Sequence, residues 1–179
     1  MPRLAKKYYI SSFLHIMVQG INKETIFKDE FYKKLYLKLI RDTVNEFDIN
    51  LLAYVIMDNH VHILLNYNNI DDISKCMHKI NQNFAQLYNK NENRVGYVFR
   101  NRYRSEQIID KAHLYTVLAY IHFNPYKAGI INKLSDYKFS AYNQYFNKVL
   151  DEEEVCKKVI DDFKKRNGIN TTEIIMEGL

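Results

Sequence analysis

No run of 18 apolar residues occurs anywhere in the sequence, so nothing in it is long enough to span a membrane as a helix. Cysteine is scarce. Cys76 and Cys156 stand far apart and form no C-x-x-C pair, which leaves a disulfide framework and a structural zinc site without support. The basic opening, Met1 to Lys7, is followed by no apolar segment with a small-residue cleavage site. The expectation is a cytoplasmic protein with no membrane partner. Internal repeats and low-complexity segments are also missing.

What is present is a core-forming composition. Over 179 residues, 47% are hydrophobic and 26% charged, the balance of a folded globule of one domain with at most a small appendage. Lysine plus arginine exceed aspartate plus glutamate, 26 − 21 = +5, a mild excess that suits a nucleic-acid partner without demanding one. The distribution is more telling. Four of the arginines, Arg94, Arg100, Arg102 and Arg104, fall in one short stretch.

Hydrophobic spacing divides the chain into elements. Leu14, Ile16 and Val18 alternate with Phe13, His15, Met17 and Gln19 inside a strand-like stretch over residues 8–19, which Gly20 and Asn22 end. Residues 29–47 carry Tyr32, Tyr36, Leu39, Ile40, Val44 and Phe47 at helical spacing, with Asp29 and Glu30 in the first turn. Leu51 to Met57 and His60 to Asn66 read as a tight antiparallel hairpin about Asp58-Asn59. Residues 71–90 form a second amphipathic helix, 91–101 a polar loop, and 103–109 a further strand. Asp110 is placed to cap a third helix over 111–123, with Pro125 disfavouring helical geometry at Asn124. The order strand, helix, strand, strand, helix, strand, helix is that of an α+β, ferredoxin-like (RRM-like) split βαβ sandwich with an antiparallel sheet and one added helix. Two helices then cover one sheet face and leave the other free. Residues 151–166 read as a charged, exposed helix and 167–179 as a frayed tail.

Three groups of residues could carry chemistry. His60 and His62 are two apart in a strand and project together, while Val61, Ile63 and Leu65 point the other way. Paired imidazoles suit a divalent metal, although the spacing is equally that of two ordinary polar strand residues. In the third helix Leu114, Val117, Leu118 and Ile121 form the core stripe, and Tyr120 stands on its shoulder with Asn124 one turn on. A half-buried helix tyrosine needs no function to explain it. Arg100, Arg102 and Arg104 would share one side of an extended chain beside Tyr97, Phe99 and Tyr103, a pattern suited to phosphate and base contacts or to a solvated loop.

Taken together, these residues resemble a known family. Ala53 to Leu64, with Asp58-Asn59-His60-Val61-His62 at its centre, is similar to the His-hydrophobic-His segment of single-tyrosine HUH transposases. Tyr120-Ile121-His122-Phe123-Asn124-Pro125-Tyr126-Lys127-Ala128-Gly129 is similar to the Tyr-x-x-x-Asn-Pro-x-Lys-Ala-Gly signature of the REP-associated branch. Met1-Pro2-Arg3 and the turn Gly20 to Lys23 also agree. The likeness covers residues 1–146, taken as the transposase domain, and leaves 147–179 as a charged helical tail. One departure is Gln19-Gly20-Ile21-Asn22, where the family commonly has Arg-Gly-Asn.

The resemblance implies an enzyme of mobile DNA that cleaves and rejoins single-stranded DNA, recognising hairpins. Tyr120 would be the nucleophile forming a 5′-phosphotyrosine. His60, His62 and Asn124 would hold a divalent metal, Mg²⁺ or Mn²⁺. Arg94, Arg100, Arg102, Arg104 and Lys127 would contact the DNA backbone. A free phenol has a pKa of about 10, so a base or cation must assist it; His113 and His122 are both candidates. A homodimer exchanging tyrosine helices and a monomer both remain open. So does a domesticated or inactive relative that only binds single-stranded nucleic acid. A barrel hydrolase with a strand H-x-H motif would typically be longer than this chain.

Overall fold

The computed structural model describes residues 12–146. Its strands are β1 (Phe13–Gln19), β2 (Ile49–Ile56), β3 (His60–Tyr67) and β4 (Arg104–Gln107). Its helices are α1 (Glu30–Glu46), α2 (Ile70–Asn91), α3 (Lys111–Lys127) and α4 (Tyr142–Phe146). The strands form one antiparallel sheet in the order β2-β3-β1-β4. This is the expected α+β ferredoxin-like arrangement, with the tyrosine-bearing helix added after it. The tail expected over 147–179 and the opening residues 1–11 lie outside the described residues.

Register decides which side chains share a face. Leu14, Ile16 and Val18 of β1 stand opposite Leu65, Ile63 and Val61 of β3, so these six line one face. Tyr54 of β2, the partner of Ile63, meets the Arg41 guanidinium of α1 there. The α1 side chains Tyr36, Ile40 and Val44 and the α2 side chains Ile73, Met77, Ile80 and Phe84 are buried in the same core. Asn69 caps α2 by accepting from Asp71 N, and Asp110 caps α3 by accepting from His113 N at 2.7 Å.

The β2–β3 hairpin turns on Asp58-Asn59, closed by Met57 N donating to His60 O at 2.9 Å. Neither turn residue has a positive φ. The turn is held from outside instead: Gly20 N donates to Asn59 O, Phe27 N to Asp58 O, and the Lys33 ammonium pairs with Asp58 at 2.6 Å. Gly20 is required here for lack of space rather than for its φ. A Cβ on it would lie 2.5 Å from Glu24 O. Gly20→Ala is therefore expected to destabilise the fold by about 1–3 kcal/mol, read as a lowered urea midpoint with unchanged m-value.

Two expectations fail in α3. The second sheet face is not left free: α3 lies over its β2–β3 half and touches both strands. Its buried stripe Leu114, Val117, Leu118 and Ile121 needs an apolar partner, and Ala53, Val55 and Leu64 supply one. The helix also does not stop before Pro125 but runs through it to Lys127. Proline sits in the last turn, where its missing N–H removes a single bond, and its buried ring packs in compensation. Ala128 N to Asn124 O and Ile130 N to Pro125 O then close the end. Beyond it, residues 139–141 return along the outer edge of β2, with Ile56 N donating to Phe139 O and Ala141 N to Tyr54 O.

Candidate active site

The α3-covered face carries the polar set. His60 and His62 project from β3 on the same side, and Val61 lies between them in the core. Their rings are 5.1 Å apart and nearly perpendicular. His62 is 2% exposed, because α3 closes over it. Burial pushes its pKa down to about 3, with His15 and His60 adding to the effect. His60 is lowered for the same first reason. Both rings are thus neutral at neutral pH, the state in which imidazole offers a lone pair.

Tyr120 stands on α3 with its ring 5.1 Å from that of His62, edge to face. It is 41% exposed, so the phenol is open to a ligand as well as to the histidines. One chain suffices to bring the two together. Asn124, one turn further on, directs its Oδ1 to within 3.4 Å of His60 Nε2. The amide is oriented by its own nitrogen, which donates to Tyr120 O at 3.2 Å. Asn59 is oriented likewise, donating to Lys23 O and presenting its Oδ1 to His60 Nδ1 at 2.6 Å. The shorter contact, to Asn59 Oδ1, favours the tautomer with the proton on Nδ1 and a lone pair on Nε2. In that tautomer His60 Nε2 and Asn124 Oδ1 face each other at 3.4 Å as two acceptors. Among the described residues no group of three His, Cys, Asp or Glu side chains stands at ligating spacing.

The bases considered for Tyr120 separate. His122 turns into the interior against Tyr142 and Tyr145, with neither ring nitrogen partnered among the described residues, and burial pushes it down to about 4. It is a core residue. His113 pairs with Glu106 at 3.5 Å. His62 and His15 are in ring contact with Tyr120, the His15 ring centroid 6.2 Å away. The Lys127 ammonium stands 5.8 Å from the Tyr120 ring centroid.

The arginines do not form one row. Arg94 pairs with Glu24 at 2.7 Å and lies over the Tyr88 ring, so its charge is matched within the chain. The chain bends at residues 100–102, and the strand alternation begins only at Arg104. Arg100 and Arg104 still border one hollow with Met17, Gln19, Asn101 and Tyr103, and both are exposed. Arg102 is exposed nearby and holds the bend through its carbonyl, which accepts from Asn81. Tyr97 is 84% exposed on the loop before them.

His15 was not marked as a site residue by the sequence. Its Nε2 lies 2.9 Å from His62 Nδ1, and the two rings stack. Its alternation in β1 places it opposite to Leu14, but only the β1–β3 register makes it a neighbour of His62.

Fold and site together define a ferredoxin-like domain in which a helix-borne tyrosine stands over paired strand histidines. The family model for IS200-like transposases matches residues 8–124, well over half of the chain. The chain belongs to that family and is an enzyme of its kind, a transposase of mobile DNA. No curated protein matches it. A solved REP-associated tyrosine transposase bound to a REP hairpin is 18% identical over 83% of this chain and 87% of its own, with a TM-score of 0.69. At that identity it supports the fold. A transposase-named structure from Deinococcus radiodurans R1 is 16% identical over 72% of this chain and 98% of its own, at a TM-score of 0.47, too slight a likeness to add to it. Among the described residues no helix is long and apolar enough to cross a membrane.

Proposed function

We propose that this transposase cuts and rejoins single-stranded DNA beside a hairpin, through a 5′-phosphotyrosine on Tyr120. The carrying observation is the juxtaposition of the half-exposed Tyr120 ring, His62 at 5.1 Å and the Asn124 oxygen facing His60. The Tyr120 oxygen attacks phosphorus, the bond from phosphorus to O3′ breaks, and the departing O3′ takes up a proton equivalent to the one the phenol loses. The phosphodiester energy stays in the new bond, so another 3′-OH can reverse the step without ATP. His60, His62 and Asn124 would hold a divalent cation, Mg²⁺ or Mn²⁺, which polarises the phosphate. Carrying Tyr120 and Asn124 on one helix keeps nucleophile and ligand in fixed relation. A REP-associated branch fits the Tyr120-to-Gly129 signature and the likeness to a hairpin-bound relative.

The polarity of the break tests this reading. Given hairpin-flanked single strands and Mn²⁺, a 3′-labelled strand should leave its label on the protein, and a 5′-labelled strand should give a free fragment ending in 3′-OH. Binding with no adduct would instead mark an inactive relative. Arg100, Arg102 and Arg104, with Lys127, supply the backbone contacts, whereas Arg94 serves Glu24. Four cationic contacts to a single strand predict a log K against log salt slope of about −3. Arg94→Ala should leave that slope unchanged, and a steeper wild-type slope reduced by this variant would return Arg94 to the interface.

A further inference from the structure

His15 sits between two groups that differ in what they can offer. On one side its Nε2 is 2.9 Å from His62 Nδ1, with the ring planes within 26° of parallel. On the other its Nδ1 is 3.7 Å from Glu106 Oε2. Backbone register enforces this: His15 of β1 is the direct partner of Glu106 on β4 and lies diagonally across from His62 on β3. The second Glu106 oxygen is 3.5 Å from His113 Nε2 on α3, which ties the carboxylate down from another element.

A carboxylate only accepts. At 3.7 Å the contact is longer than a hydrogen bond, but the carboxylate's charge favours the neutral His15 ring with its one proton on Nδ1, facing Glu106, which leaves Nε2 as an acceptor. Only one proton can lie between His15 Nε2 and His62 Nδ1, so it must belong to His62. That leaves His62 Nε2 as a bare lone pair. His60 reaches the same state by a different route, through the Asn59 amide. Both histidines of the pair are thereby set to the tautomer in which Nε2 is the donor atom.

We propose that His15, oriented by Glu106, is a positioning residue that fixes the tautomer of His62 and so presents its Nε2 to the divalent cation. The cation half of this statement rests on the reading given under Proposed function; the tautomer half does not. Partners of this kind commonly set ligand orientation, and their removal lowers metal affinity by about 10–100-fold.

Two measurements on the full chain test it. The first is the long-range ¹H–¹⁵N NMR spectrum of the histidines without metal. In the wild type His62 should show Nδ1–H and an unprotonated Nε2. His15→Ala should give a mixture of tautomers, and His15→Gln, whose side-chain oxygen can still accept, should restore Nδ1–H. Glu106→Gln should shift the population towards Nε2–H. The second is Mn²⁺ titration of the same proteins without DNA. Affinity should fall about 10–100-fold in His15→Ala and largely recover in His15→Gln. A wild-type His62 protonated on Nε2 overturns the inference, as does His15→Ala with tautomer and Mn²⁺ affinity both unchanged. If the tautomer depends on His15 but no protein binds Mn²⁺, the positioning role stands and the metal reading falls. Should His15→Ala fail to fold, His15→Gln and Glu106→Gln decide the matter, since both keep a polar side chain of similar length in place.

Discussion

Replacing Tyr120 with phenylalanine is expected to abolish the covalent protein–DNA adduct, a fall of at least about 1,000-fold, while folding and DNA binding survive. The change removes one oxygen from a ring that keeps its place. Among the described residues the Tyr120 hydroxyl makes no hydrogen bond, and the ring contacts with His62 and His15 need no hydroxyl. Stability should therefore stay within about 0.5 kcal/mol of wild type, the range for changes that disturb no core or buried network. Denaturation curves and binding of the uncut strand check these two controls. Labelled protein on a denaturing gel reads the adduct. Full adduct in the variant would show that another of the fifteen tyrosines is the nucleophile. Tyr115, on a different side of the same helix, would then be the next to replace.

The largest effect on stability is expected from Phe84→Ala, about 3–5 kcal/mol. Phe84 is fully buried, and its ring lies 5.0 Å from Phe27, 5.1 Å from Tyr36, 5.7 Å from Phe99 and 5.8 Å from Tyr88. Truncation removes the centre of an aromatic cluster that joins α1, α2 and the two loops flanking the sheet. Those rings are held by separate elements and cannot all move inward to fill the space. Such a loss is a large share of the 5–15 kcal/mol typical of a domain. The urea midpoint measures it, and a change below about 1 kcal/mol would mean the cluster collapses around the gap. Function should be affected as well. Phe99 immediately precedes Arg100 and packs on Phe84, so looser packing frees the loop that carries the exposed arginines.

Much of this architecture is legible in the spacing of apolar residues. Period two located β1 and β3, and the stripe from Leu114 to Ile121 located α3, because burial on one side leaves a periodic mark. The paired projection of His60 and His62 follows from strand parity alone. Other features leave no such mark. That α3 covers the histidine face depends on where the chain returns after β4. The pairing of Arg94 with Glu24 joins residues far apart in sequence, and nothing in the run of arginines distinguishes Arg94 from Arg100. Pro125 looked like a helix stop because local preference is all that sequence shows, whereas packing in the final turn outweighs it.

By itself, then, the sequence determined the element order, the inward and outward faces of each strand, and, through two motifs, the family likeness. Only the tertiary structure decided what meets across those faces: Tyr120 against His62, Asn124 against His60, and His15 between His62 and Glu106. Periodicity records whether a side chain is buried, since that depends on position along one element. It does not record the neighbour, since that depends on strand register and helix docking, which distant segments settle together.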